Sequence, residues 1–149
     1  MKAIEFRETM TGSYHLATRP SEERPMTFTI RARSRGGLRG LLKGPEAEIE
    51  GEVDAEGFAD HRYLKGLMNL DVLRTGKLRY SFQFDDNGGQ RCTFAGEKTV
   101  RLDDLVETMT VLPGKLLGEG GDEIGQALLR FDLRGELLRF LRSFKVVVL

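Results

Sequence analysis

Apolar side chains recur at every second position over most of this chain, the pattern of strands that bury one face. Ile4, Phe6, Met10, Tyr14 and Leu16 share one parity, so the spacing predicts a long first strand, with Gly12 placed to bend it as barrels require. Arg19 to Pro25 is polar and proline-bounded and is expected to be a loop. Met26, Phe28, Ile30 and Ala32 then alternate with Thr27, Thr29, Arg31 and Arg33. Leu38, Leu41 and Leu42 switch to helical spacing, predicting a short helix over 36–43 that Gly44-Pro45 ends. Ala47, Ile49, Gly51 and Val53 resume the alternation, against Glu46, Glu48, Glu50 and Glu52.

A further strand is expected around 63–70. Leu78, Tyr80, Phe82 and Phe84 form the clearest alternating strand, turning through Asp85–Gly89 into Cys92, Phe94 and Gly96; the Asp-Asn-Gly-Gly sequence is a hairpin signal. Beyond it the pattern predicts a strand over 105–112, a glycine-rich loop over 113–123, a strand over 124–133, a short helix over 135–142 and a last strand over 143–149.

The order of the last elements repeats that of the first. Residues 8–50 align with 107–149 without gaps at a constant offset of 99, with nine identities that include Glu8-Thr-Met-Thr11 with Glu107-Thr-Met-Thr110, and Arg31 with Arg130. Repetition of a supersecondary unit constrains architecture. The expectation is a single all-β domain with two short helices, an antiparallel closed or nearly closed barrel of about nine strands by this pattern. Its repeat units, 8–50 and 107–149, would be related by a pseudo-twofold axis and separated by a central meander over 51–106.

Composition narrows the function. The 149 residues suffice to bury a core without disulfides or metal. With 23 basic and 23 acidic residues, bulk charge gives no case for nucleic acid or an anionic membrane. One cysteine, Cys92, rules out an intramolecular disulfide and a cysteine zinc site. The opening Met-Lys-Ala-Ile-Glu-Phe lacks the apolar stretch of a leader, and no run has the length of a membrane-spanning helix, so a cytoplasmic protein without an integral membrane segment is expected.

Three sets of residues bear chemistry. Glu8 and Glu107 each fall on an inward apolar parity, where a carboxylate needs a partner or becomes neutral. They are read either as polar anchors or bases in a cavity, or as structural ion pairs, with Arg31 and Arg130 as candidate partners. Lys98 shares the inward parity of Cys92, Phe94 and Gly96 and is expected to snorkel or to pair with Glu8 or Glu107. Arg31, Arg33 and Arg35 lie on one face and are read either as a contact for a phosphate or lipid head group or, paired with the acidic strand Glu46–Glu52, as an exposed ladder. Arg130, Arg134 and Arg139 have no such acidic neighbour and are the better anion-site candidates. Cys92, His15 and His61 lack any cysteine-nucleophile signature, Asp60-His61 lacks the spacing of a metal site, and no cofactor motif is present.

Phe6-Arg-Glu-Thr-Met-Thr-Gly12 and Phe94-Ala-Gly-Glu-Lys98 resemble segments of an uncharacterised bacterial β-domain found alone or beside cholesterol-oxidase-like flavin oxidoreductases. The resemblance implies an accessory role near lipid or hydrophobic-substrate chemistry. The barrel is lipocalin-like in architecture only. The leading expectation is non-enzymatic binding of a hydrophobic or amphipathic, lipid-like molecule. Phe82, Phe84, Phe94, Met10, Met109 and Phe131 would form the walls, and Glu8, Glu107 and Lys98 the polar anchors. The alternatives are a protein-interaction module with a filled core, and an isomerase- or cyclase-like enzyme using Glu8 or Glu107 as base. The last strand, Val146–Leu149, is apolar on both faces where its counterpart is acidic, which predicts a homodimer or docking through Val147 and Leu149, with burial by another part of the same chain as the alternative.

Overall fold

A computed structural model describes residues 2–35, 46–131, 143 and 145–148. The strands are β1 (Lys2–Leu16), β2 (Arg19–Arg35), β3 (Glu46–Ala55), β4 (Ala59–Asn69), β5 (Lys77–Asp85), β6 (Arg91–Thr99), β7 (Val111–Leu117), β8 (Glu123–Arg130) and β9 (Lys145–Val148). Helix α1 (Val72–Thr75) precedes β5; a 3-10 turn (Leu102–Asp104) and helix α2 (Leu105–Thr110) precede β7. Consecutive strands pair antiparallel from β1 to β8. The second half of β1, Thr11–Leu16, pairs with β8 and closes an eight-stranded antiparallel barrel. Its first half, Lys2–Glu5, carries β9 on that same side.

The alternation read from sequence is the alternation of the barrel wall. Met10, Phe28, Ile30, Ile49, Val53, Leu64, Met68, Phe82, Phe84, Phe94, Leu112 and Leu116 are all buried in one core. Arg31 faces Glu50 and Arg33 faces Glu48 across β2 and β3, the ladder that the charge pattern implied. Arg31 is ion-paired with Glu50, while the Arg33 guanidinium turns the other way to Glu5, 2.9 Å away. Among the described residues no helix is long and apolar enough to cross a membrane.

Four expectations change. Arg19–Pro25 is not a loop: it is the first part of β2, with Ser13 opposite Pro25 and Leu16 opposite Arg19. Local composition is overridden there by pairing with β1, and the Pro25 carbonyl accepts the N–H of Glu56. The predicted strand over 105–112 is a helix as far as Thr110, and part of the predicted loop over 113–123 is strand β7. The two aligned segments are also paired differently. Gly12 faces Met26, whereas their counterparts at the 99-residue offset do not face each other: Val111 faces Arg130 and Gly125 faces Leu116. In the same way β3 pairs with β2 and β4, but β9 pairs with β1. The sequence repeat therefore has no matching structural repeat over these strands. The predicted helices over 36–43 and 135–142 lie outside the described residues.

Candidate functional site

The inward parity of three strands brings together one carboxylate, one ammonium and one phenol. Glu8 comes from β1, Tyr80 from β5 on the opposite wall of the eight-stranded ring, and Lys98 from β6 beside it. Tyr80 Oη donates to Glu8 Oε1 at 2.6 Å, and Lys98 Nζ donates to Glu8 Oε2 at 3.3 Å. The ammonium also stands 5.2 Å from the centroid of the Tyr80 ring, where the negative ring face attracts a cation. The Lys98 and Glu8 side chains are only 2% and 6% exposed. Burial, together with the charge of Glu8 and the hydrogen bond to it, raises the Tyr80 hydroxyl well above its ordinary value and keeps it a neutral donor.

This cluster also joins two segments distant in sequence, since Glu8 belongs to Phe6–Gly12 and Lys98 closes Phe94–Lys98. Both carboxylate oxygens are occupied and all three groups are closed off from solvent. The arrangement ties three strands together across the barrel.

Next to the tie stands a column of aromatic rings. Phe82 and Phe94 stack with centroids 4.9 Å apart, and Phe28 packs edge-on to Phe82 at 5.2 Å. The column continues from Phe82 through Phe84 to Phe58 and Tyr14 near the other end. Phe94 lies across two inward glycines that face each other, Gly96 on β6 and Gly114 on β7. A Cβ on Gly114 would come within 2.5 Å of the Phe94 ring, and one on Gly96 within 2.7 Å. Both glycines are required by that close approach.

The other candidate residues are scattered. Glu107 does not lie inside: it is on α2, 60% exposed, and 3.4 Å from Arg130, itself exposed. Met109 is 37% exposed on the same helix. The reason is the change of period, because residues 105–110 form a helix and not a strand. Met10 and Phe131 are buried, with the Phe131 N–H bonded to the Thr110 carbonyl. Arg134 and Arg139 lie outside the described residues, so of the anion candidates only Arg130 is placed. Cys92 is buried. His61 is exposed and 3.5 Å from Asp54, while Asp60 binds the Gly57 N–H and Asn87.

Sequence reasoning missed a second buried carboxylate. Glu5, on the outward parity of β1, is flanked by Arg33 of β2 at 2.9 Å and Lys145 of β9 at 3.4 Å. Burial pushes its carboxyl up, but the two cations outweigh that and hold it below the ordinary range. The pairing of β1 with β2 supplies Arg33 and the docking of β9 beside β1 supplies Lys145, and nothing local in the sequence marks the site.

Two concavities, of about 600 and 460 Å³, lie on the outer side of the wall. The larger follows β4 and β5 and includes Arg62, Tyr63, Lys65, Leu67, Gln83 and Arg91. The smaller is bordered by Arg7, Arg31, Glu50, Glu52 and Tyr63. No protein-family model, curated protein or solved structure matches this chain. The fold thus defines the class alone, a closed eight-stranded antiparallel barrel with an aromatic interior.

Proposed function

We propose that this barrel is a non-enzymatic protein-interaction module, with its interior serving as a solid scaffold and its outer wall as the binding surface. The observation that carries this reading is the column of touching rings from Tyr80 through Phe28, Phe82, Phe94 and Phe84, which occupies the space where a lipid-like ligand would sit. Small-molecule sites are concave and apolar. Here the aromatic rings meet one another. The buried Glu8–Lys98 pair, with Tyr80 on its free oxygen, leaves no open base and favours binding over isomerase or cyclase chemistry.

The test is titration of a hydrophobic fluorescent probe into the folded protein, followed by challenge with a fatty acid and a sterol. The module reading expects no saturable, displaceable signal. Displaceable binding of unit stoichiometry would restore a lipid-like ligand, with Glu8 and Lys98 as its anchors. An accessory role beside a flavin oxidoreductase, implied by the resemblance, fits a module that docks through its surface. Self-association through Val147 and Leu149 belongs to the same reading, since β9 is the last strand of the sheet; Leu149 itself lies outside the described residues. Light scattering of the wild type and of a Val147→Glu variant measures it, and a wild type that is monomeric at high concentration would exclude it.

A further inference from the structure

Two turns meet at one end of the barrel, and one asparagine joins them. The chain has two asparagines, Asn69 and Asn87, and only Asn87 precedes a glycine. It stands in the turn between β5 and β6, while the turn it touches joins β3 to β4. Strand β4 starts at Ala59, but its pairing with β5 ends at Lys65 opposite Gln83. Beyond that rung every hydrogen bond between the two ends, among the described residues, runs through Asn87. Its N–H donates to the Phe58 carbonyl at 2.8 Å, and its Oδ1 accepts the Asp60 N–H at 2.9 Å. Oδ1 also accepts from the Arg62 guanidinium at 3.2 Å, and Nδ2 donates to the Asp60 carboxylate at 2.8 Å. That last bond leads the causes that hold the Asp60 carboxyl below its ordinary range.

The residue that holds the turns together is also chemically vulnerable. Asn87 is exposed, and the next residue, Gly88, has no side chain to shield its main-chain nitrogen. Among the described residues the Gly88 N–H donates no hydrogen bond, whereas those of Asn87 and Gly89 on either side do. We propose that Asn87-Gly88 is a self-modifying site: the Gly88 nitrogen attacks Cγ of Asn87, and the conversion of the amide to a carboxylate parts the two turns.

The Gly88 nitrogen gives its proton to solvent and forms a bond to Cγ. The Cγ–Nδ2 bond breaks, and Nδ2 takes a proton from water and leaves as ammonia. The resulting five-membered imide adds one water at either carbonyl and opens to aspartate or isoaspartate. One water is consumed and one ammonia released, so no oxidant or further reactant is needed. Neither product keeps the present contacts. In aspartate an oxygen replaces Nδ2 at 2.8 Å from the Asp60 carboxylate, so a donated bond becomes a meeting of two anions. Arg62 is the cation bonded at this place; His61 is engaged with Asp54 and Arg91 with Asp85, while Asp86 adds negative charge to the same turn. In isoaspartate the main chain runs through Cγ, which lengthens the turn by one carbon. With those bonds lost, the edge contact of Phe58 with Phe84 is what remains between the turns. The proposal is independent of the interaction-module reading.

The test is to hold the folded wild type for several weeks in mildly alkaline buffer and map its peptides by mass spectrometry. Asn87 should convert to a mixture of aspartate and isoaspartate. Asn69, which precedes leucine and whose Oδ1 accepts the Asp71 N–H, is the internal reference and should stay an amide. Gly88→Ala should lose the conversion; the position is exposed, its φ is not left-handed, and the nearest atom to a Cβ there is Asp86 Oδ1 at 3.4 Å. Converted protein, separated by its added negative charge, should exchange the amides of Asp60 and residue 87 faster than unconverted protein, with the rest of the barrel unchanged. An Asn87 that remains an amide, conversion that persists in Gly88→Ala, or unchanged exchange at Asp60 in the converted protein would overturn the proposal.

Discussion

Replacing Lys98 by Met is the most demanding test of the cross-barrel tie. The substitution nearly preserves the length of the side chain and removes its charge, leaving the Glu8 carboxylate with the Tyr80 hydroxyl as its remaining partner. Because both side chains of the pair are almost fully buried, the cost is that of an uncompensated interior charge, roughly 3–5 kcal/mol. A domain of this size has about 5–15 kcal/mol in total. The loss should appear as a large fall in the urea midpoint at unchanged slope. Adding Glu8→Leu removes both charges and should recover most of the loss. What stays is the Tyr80 hydroxyl without an acceptor, worth about 1–3 kcal/mol, and Tyr80→Phe in the triple variant removes that too. The order of stability is therefore the triple above the double and the double above Lys98→Met. A Lys98→Met variant within about 1 kcal/mol of wild type, or single losses that simply add in the double variant, would refute the reasoning.

Other predictions follow from the packing and the titratable groups. Gly114→Ala pushes a methyl into the Phe94 ring and should cost about 1–3 kcal/mol by denaturation, with Phe94→Leu in the same chain recovering part of it. Burial, ahead of the charges of Asp86 and Asp85, pushes the Cys92 thiol up to about 11 from an ordinary 9.0, so at pH 8 it should react with a thiol reagent on the order of 100-fold more slowly than in the unfolded chain. Since the folded state holds that proton more tightly than the unfolded state, the contribution is complete below pH 9 and is lost as pH rises toward 11. Tyr14 and Tyr80, both raised by burial, act with the same sign above the ordinary tyrosine value of 10.0, and denaturation midpoints measured against pH should decline there. Arg31→Ala, by contrast, removes an exposed ladder pair and should leave the urea midpoint nearly unchanged.

The barrel was legible where a strand buries one face against the core and leaves the other in water. Residues 26–33, 47–53, 78–84 and 92–96 alternate without interruption, and each lies inside a strand with the expected face inward. The errors fall where that condition fails. Residues 19–25 are exposed on both faces, so they show no alternation although they belong to the longest strand. Leu105 and Met109 are compatible with two periods, sharing a parity in a strand and lying four apart on a helix. The side chains alone do not decide between the two, and the segment is helical, with Thr108 Oγ1 donating to the Asp104 carbonyl one turn back. The internal repeat misled for a different reason. Identity at a fixed offset reports common residues, but register is set by which strands meet, and Val111 meets Arg130 where an equivalent unit would require Gly125.

Parity was sufficient to place Glu8, Lys98 and Tyr80 inside, because three strands of known face need no knowledge of strand order to send their side chains to a common interior. It was insufficient for Glu5, whose two cations come from β2 and from the distant β9. Nor could parity separate a hollow barrel from a solid one, since aromatic residues on an inward face are equally the walls of a pocket or its filling. The information that separates them lies in the small residues opposite. A ring that lines a cavity needs neighbours of ordinary size, while a ring that crosses the axis needs a place where side chains are missing. Gly96 and Gly114 face each other on adjacent strands and supply that place for Phe94, which then reaches Phe82 and Phe28. An inward glycine pair beside an aromatic strand is thus evidence for a filled core, and it moves the search for function from the interior of this barrel to its outer wall.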